Sequence, residues 1–101
     1  MELQLQQKAV QSSIKPPDLF VKKEDLALYE RKLTRWSRKS GIALKDQGDI
    51  ILMRPSITNP TLHDRLENEI GDLVSDNEEG VKLIVSTLKK WYGLNKRVDL
   101  I

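Results

Sequence analysis

The sequence predicts an all-α protein, a compact bundle of four to five short helices with an extended Pro-Pro segment at its N-terminal side. Apolar residues recur at intervals of three and four through residues 23–92, which is the spacing of one face of an α-helix. All four prolines lie before or between these periodic stretches, as expected for residues that interrupt helices. No pair of alternating segments predicts paired strands.

The chain is predicted to have three parts: a flexible lead-in (1–13), a single helical domain (14–93), and the start of a further helix or linker (94–101). Its 101 residues, 39% of them hydrophobic, are sufficient for one small domain with one core. The lead-in is rich in Gln and Ser and shows no clean period.

The most regular pattern predicts a helix over residues 78–93, on which we expect the other helices to pack. Its apolar residues fall at i, i+3, i+4, i+7, i+10 and i+11: Val81, Ile84, Val85, Leu88, Trp91 and Tyr92. Asp76 or Asn77 is expected to cap its start, and Gly93 to provide the left-handed residue that ends it.

The pattern also predicts where the acidic residues and the tryptophan of this helix lie. Glu78 and Glu79 should lie in the first turn, where the helix dipole favours negative charge. Trp91 lies on the apolar stripe, so we expect it to be mostly buried against the first helix, near Trp36 or Leu33.

Two helices are predicted in the first half of the domain. The first covers residues 23–39, and its apolar stripe consists of Leu26, Tyr29, Leu33 and Trp36. Gly41 is expected to end it. The second covers residues 44–53, and its apolar residues are Leu44, Ile50, Ile51 and Met53. Gly48 in its middle is expected to let a neighbouring helix approach closely.

The third helix is predicted to begin with Asn59 as N-cap and Pro60 at its first position, and to continue to Val74. Its apolar stripe consists of Leu62, Leu66, Ile70, Leu73 and Val74.

The segment before the helices contains Pro16 and Pro17, which forbid a helix and favour an extended chain. Leu19, Phe20 and Val21 follow, and we expect them to lie on the helical core, with Phe20 buried.

The residue inventory indicates that the protein is not an enzyme and binds no cofactor or metal. The chain has no cysteine, and its one histidine, His63, is expected on an exposed helix face in a structural or neutral role. Phosphate-loop, zinc-protease and calcium-loop motifs are absent. No apolar run approaches the ~18 residues of a membrane span, and the N-terminus lacks a signal-peptide pattern. We therefore expect an intracellular, cytoplasmic protein.

Charge is distributed unevenly along the chain. Residues 22–45 hold eight basic residues and three acidic ones, whereas residues 59–80 hold seven acidic residues and one basic one. Such a division favours head-to-tail contacts between copies or the steering of a charged partner. The candidate assembly contacts are Arg31, Arg35 and Arg38 on one side and Asp64, Glu67 and Asp72 on the other. The alternative is that both sets belong to solvated helix faces.

The order of these features resembles the amino-terminal capsid lobe of Gag-like retrotransposon proteins, in their gypsy-type and Arc-like forms. The resemblance rests on the Pro-Pro entry and on the stretches YERKLTRWSRKSGI, KDQGDIILM, NPTLHDRLENEI and SDNEEGVKLIVSTLKKWYG. It covers residues 14–93, and the stretch from Asp76 to Gly93 carries most of it. The zinc knuckle of complete Gag proteins is absent from this sequence.

This resemblance implies a structural self-assembly module that forms capsid-like particles as a homo-oligomer in its full-length context, and an isolated lobe that is monomeric. The alternative is a helical module that binds a peptide, with the segment 14–21 in or beside its groove. Residues for that groove, or for the core, are Phe20, Tyr29, Trp36, Trp91 and Tyr92. A third interpretation is a helical domain that binds RNA without sequence preference through the basic first helix.

Overall fold

The computed structural model describes residues 15–93. A 3-10 turn (Lys23–Asp25) leads into four helices: α1 (Leu26–Lys39), α2 (Leu44–Met53), α3 (Pro60–Val74) and α4 (Gly80–Trp91). The all-α prediction is confirmed, and no strand occurs in this part of the chain. The predicted lead-in at 1–13 and the further element at 94–101 lie outside the described residues.

The helices α2, α3 and α4 pack on one another in pairs, and α1 packs on α4. The predicted stripe of α1 is confirmed, because Leu26, Tyr29, Leu33 and Trp36 are all buried. On α3, the buried positions repeat strictly every fourth residue: Leu62, Leu66, Ile70 and Val74. On α4, Ile84 and Leu88 are fully buried, and the flanking apolar residues pack partly against the core.

Four residues predicted to be apolar core residues are exposed instead: Val21, Leu44, Met53 and Leu73. Leu44 is the first residue of α2, and Met53, the last, falls on the side opposite the buried face. Leu73 lies about 100° around α3 from Val74, outside that helix's narrow buried face. The prediction that Phe20 is buried is confirmed, since it is 6% exposed.

A close contact between two glycines determines how α2 crosses the start of α4. A Cβ atom added to Gly48 would lie 3.0 Å from the Val74 Cβ and 3.3 Å from the Gly80 Cα. A side chain at either glycine would therefore have to displace Val74 and the facing glycine by a few tenths of an ångström. The predicted close approach at Gly48 is confirmed, and its partner is the first residue of α4.

The buried face of α2 also includes a polar residue, Gln47. Its Nε2 donates hydrogen bonds to the carbonyl oxygens of Ile42 (2.8 Å) and Ser37 (3.2 Å), and its Oε1 accepts one from the Ser37 hydroxyl. Because these bonds replace those to water, Gln47 can be buried while it joins the end of α1 to α2.

The helix ends agree with the predicted caps in most respects. The Asn59 Oδ1 accepts a hydrogen bond from the Leu62 N–H at 3.1 Å, and Pro60 is the first residue of α3. Gly93 has a φ of 74°, as predicted for the residue that ends α4.

The start of α4 differs from the prediction, because the helix begins at Gly80 and the two glutamates precede it. Asn77 accepts a hydrogen bond from the Glu79 N–H at 2.8 Å, and so satisfies a donor just before the helix.

The prediction for Trp91 is confirmed in part, because the residue packs against the core, but its cation–π contact is made with α3. Trp91 is only partly buried, and the guanidinium carbon of Arg65 lies 3.9 Å from the centroid of its ring. Arg65 belongs to α3, so the indole forms a cation–π contact at the edge of the core.

We expect Gly48→Ala to destabilise the domain by about 1–3 kcal/mol, because the new methyl group meets backbone atoms of Val74 and Gly80. The steric cost exceeds the ~1 kcal/mol by which alanine normally stabilises a helix relative to glycine. Chemical denaturation provides the measurement.

The matched control is Gly71→Ala on α3, where the new methyl group meets only the end of the flexible Glu67 side chain. That variant should be as stable as the parent protein or more stable. Equal stabilities of the two variants would show that the contact between α2 and α4 is not tight.

Candidate functional site

The carboxylate of Asp18 connects the N-terminal segment to the loop between α2 and α3. Its Oδ1 accepts hydrogen bonds from the Leu19 N–H (2.7 Å) and the Ser56 hydroxyl (2.6 Å). Its Oδ2 accepts three more at 3.0 Å, from the Ile57 N–H, the Thr58 N–H and the Thr58 hydroxyl. A single side chain therefore satisfies two backbone donors of a loop that follows it by about 40 residues.

These hydrogen bonds continue into the N-terminus of α3. The Ser56 hydroxyl accepts a hydrogen bond from the Asn59 N–H at 2.9 Å. The Asn59 Nδ2 donates to the Phe20 carbonyl oxygen at 2.9 Å while its Oδ1 caps α3. We call Asp18, Ser56, Thr58 and Asn59 the polar clamp. It holds the N-terminal segment at two points, Asp18 and the Phe20 carbonyl.

Hydrogen bonding also changes the acidity of Asp18. Its partial burial acts to raise the pKa, but hydrogen bonds from Ser56, Thr58 and Leu19 lower it by more. The result is a pKa well below the usual range of an aspartate. Asp18 is therefore a carboxylate throughout the physiological pH range.

The clamp places Phe20 between two other aromatic residues. The Phe20 ring centroid lies 5.4 Å from that of Tyr29 and 5.6 Å from that of Tyr92, with tilted planes in both pairs. Of the residues predicted for a groove or the core, Phe20, Tyr29 and Trp36 are buried, whereas Trp91 and Tyr92 are partly buried. Phe20 thus joins α1 to the end of α4.

The hydroxyl group of Tyr29 is buried without a hydrogen-bond partner among residues 15–93. Burial, with a smaller contribution from the negative charge of Asp18, raises the pKa of Tyr29 well above its usual value. The phenol is therefore neutral. An unpaired buried hydroxyl lowers stability, because it has lost its bonds to water without replacement.

A cavity of about 190 Å³ lies between the N-terminal segment and the α2–α3 loop. Its apolar walls include Pro16, Leu52 and Leu66, and His63 lines it as well. The histidine is partly buried rather than exposed as predicted, because its Nε2 lies 2.8 Å from the Leu52 carbonyl oxygen. Since a carbonyl only accepts, this contact requires a proton on Nε2.

The candidate assembly residues are exposed on two helices. Arg31, Arg35 and Arg38 lie on the outer side of α1, and Asp64, Glu67 and Asp72 lie on α3. The Asp64 carboxylate lies 3.7 Å from the His63 Nδ1. Within residues 15–93 no ion pair links the two sets, and none of the other five residues has an ion-pair partner.

No group of three or more His, Asp or Glu side chains among residues 15–93 is placed to hold a metal ion. No helix in the same range is both long and apolar enough to cross a membrane. Comparisons of the chain with protein-family models, curated proteins and solved structures find no match.

Asp18 was not identified from the sequence, because the partners that define it follow it by about 40 residues. The available signals were the aspartate directly after two prolines and the polar run Ser56-Ile-Thr-Asn59 after Pro55. Both are typical of segments that form hydrogen bonds between side chain and backbone. Neither signal indicates that the two segments meet.

We expect Tyr29→Phe to leave the domain as stable as the parent protein or to stabilise it by about 1 kcal/mol, because it removes only the unpaired hydroxyl. Thermal unfolding measures the effect. Tyr29→Leu is the comparison that removes the aromatic ring in tilted contact with Phe20, and it should destabilise the domain. Clear destabilisation by Tyr29→Phe would reveal a hydrogen-bond partner for the hydroxyl.

Proposed function

We propose that this domain is a structural self-assembly module, the amino-terminal capsid lobe of a Gag-like, retrotransposon-derived protein that forms capsid-like particles. The sequence resemblance over residues 14–93 supports the family. The observation that supports assembly is the pair of oppositely charged, exposed surfaces on α1 and α3. We call them the basic face (Arg31, Arg35 and Arg38) and the acidic face (Asp64, Glu67 and Asp72).

The two faces are suited to contacts between copies rather than within one. Each helix turns its apolar stripe toward a common core, so the opposite sides of α1 and α3 point outward. The basic face of one copy can then meet the acidic face of the next. Such a contact uses two different surfaces, so it closes into a ring or continues as an open array.

The strength of this contact should be low for the lobe alone. An exposed ion pair contributes only ~0–1 kcal/mol, and salt screens it further. Many copies linked in one assembly compensate for weak single contacts, because each contact raises the effective concentration for the next. The proposed role is therefore non-catalytic and depends on the number of copies that assemble.

The peptide-binding interpretation stays a prediction. In its favour is the cavity beside the N-terminal segment, lined by apolar residues. Against it, Leu19 and Phe20 are themselves buried beside the helices that a peptide would contact.

Charge reversal tests the assembly proposal. Sedimentation velocity at high protein concentration and low salt should show weak self-association of the parent chain that declines as salt is added. The double variant Arg31→Glu/Arg38→Glu should lose this association. Adding Glu67→Lys and Asp72→Lys should restore part of it, because the two faces are again opposite in charge.

The control for total charge is Lys82→Glu/Lys90→Glu, which reverses two exposed lysines on α4. It should associate as the parent does. Parent-like association of the Arg31→Glu/Arg38→Glu variant at every salt concentration would show that the basic face is only a solvated surface.

A further inference from the structure

A second concave surface lies between the N-terminal segment and one flank of α1. Its volume is about 320 Å³. Two residues of the segment and four of α1 line it: Lys15, Pro17, Lys32, Arg35, Trp36 and Lys39. We call this surface the basic pocket. It is separate from the cavity beside His63, although Pro17 lines both.

Four of the six lining residues are cationic and none is acidic. All four cations are exposed, and within residues 15–93 none of them has an ion-pair partner. Glu30 on the same helix is already engaged with Lys89, at 3.1 Å. No ion pair within the described chain therefore neutralises the positive charge of this pocket.

The arrangement differs from an ordinary solvated helix face, because the cations come from two separate elements. Lys32, Arg35 and Lys39 follow one another at i, i+3 and i+7, so they lie along one flank of α1 over about 10 Å. Lys15 approaches from the N-terminal segment, which the polar clamp holds in place. Pro17 and Trp36 provide an apolar floor between them.

We propose that the basic pocket binds the clustered phosphate groups of a small soluble molecule, such as a triphosphate. A single phosphate carries about two negative charges and would leave about half of the four positive charges unneutralised, whereas a triphosphate nearly matches them. A nucleic-acid strand carries one charge per nucleotide, so it would place few of its charges within this short pocket. Lysine ammonium groups suit phosphate oxygens as mobile point charges, and arginine adds a bidentate partner.

This inference goes beyond the assembly proposal and does not depend on it. Lys32 and Lys39 belong to the basic pocket and not to the basic face. Arg35 belongs to both, so it is left unchanged in the test.

The test is calorimetric and NMR titration of the 101-residue chain at moderate salt with tripolyphosphate, ATP, inorganic phosphate and a short oligouridylate. Tripolyphosphate should bind with one-to-one stoichiometry, and amide signals near Pro17 and from Lys32 to Lys39 should shift. Inorganic phosphate should bind at least about tenfold more weakly, because it meets fewer of the cations. Equal affinities for ATP and tripolyphosphate would identify the phosphate chain alone as the recognised group, and tighter binding of ATP would identify a nucleotide.

Two matched variants locate the site. Lys32→Gln/Lys39→Gln should weaken tripolyphosphate binding by about tenfold or more, since it removes half of the cations. Lys82→Gln/Lys90→Gln removes the same charge from α4 and should change the affinity by no more than about twofold. Circular dichroism of both variants confirms that they remain folded.

Three results would overturn the proposal. One is an equal loss of affinity in the two variants, which would show attraction to the overall charge. The second is tighter binding of oligouridylate than of tripolyphosphate through the same residues, which would indicate a nucleic-acid surface. The third is the absence of saturable tripolyphosphate binding by the parent chain.

Discussion

The hydrogen bonds of Asp18 determine where the N-terminal segment lies, and much of the remaining structure depends on that position. One carboxylate accepts hydrogen bonds from Ser56, Ile57 and Thr58. The Ser56 hydroxyl in turn accepts a hydrogen bond from the N–H of Asn59, the N-cap of α3. With Asp18 fixed, Phe20 reaches the space between α1 and α4 and contacts aromatic rings from both sides. A segment without regular secondary structure thereby becomes part of the core.

The same constraint creates the concave surfaces of the domain. The N-terminal segment forms one wall of the cavity beside His63 and, on its other side, one wall of the basic pocket. The packing of the helices depends on a different contact, the approach of Gly48 to Gly80. The charged faces of α1 and α3 point outward because each helix buries the apolar stripe on its opposite side. Both proposals therefore rest on surfaces whose positions follow from these contacts.

Patterns of neighbouring residues predicted the helices well. They did not predict contacts between segments that are distant in the sequence. The Asn59-Pro60 start of α3 and the Gly93 end of α4 each depend on a few adjacent residues, and both predictions are confirmed. Periodicity did not show how wide each buried face is, so Leu73 was wrongly placed in the core. The burial of Gln47 requires partners from the preceding helix and loop, which hydropathy does not reveal. For the same reason the contact of Asp18 with the α2–α3 loop could not be predicted, although the charged residues of the two faces could.

The most direct test of the polar clamp is an NMR pH titration of the Ile57 and Thr58 amide protons. Because both amides donate to a carboxylate, their proton signals should lie downfield. The signals should keep these chemical shifts as the pH falls below about 3.9, the ordinary pKa of an aspartate. Because the folded pKa of Asp18 is depressed, its stabilising effect is complete above that value and is lost progressively below it. Asp18→Asn should abolish the downfield shifts and lower the melting temperature at neutral pH, whereas Asp72→Asn should change neither. Random-coil positions for both amides in the parent chain, or a melting temperature unchanged by Asp18→Asn, would contradict this account.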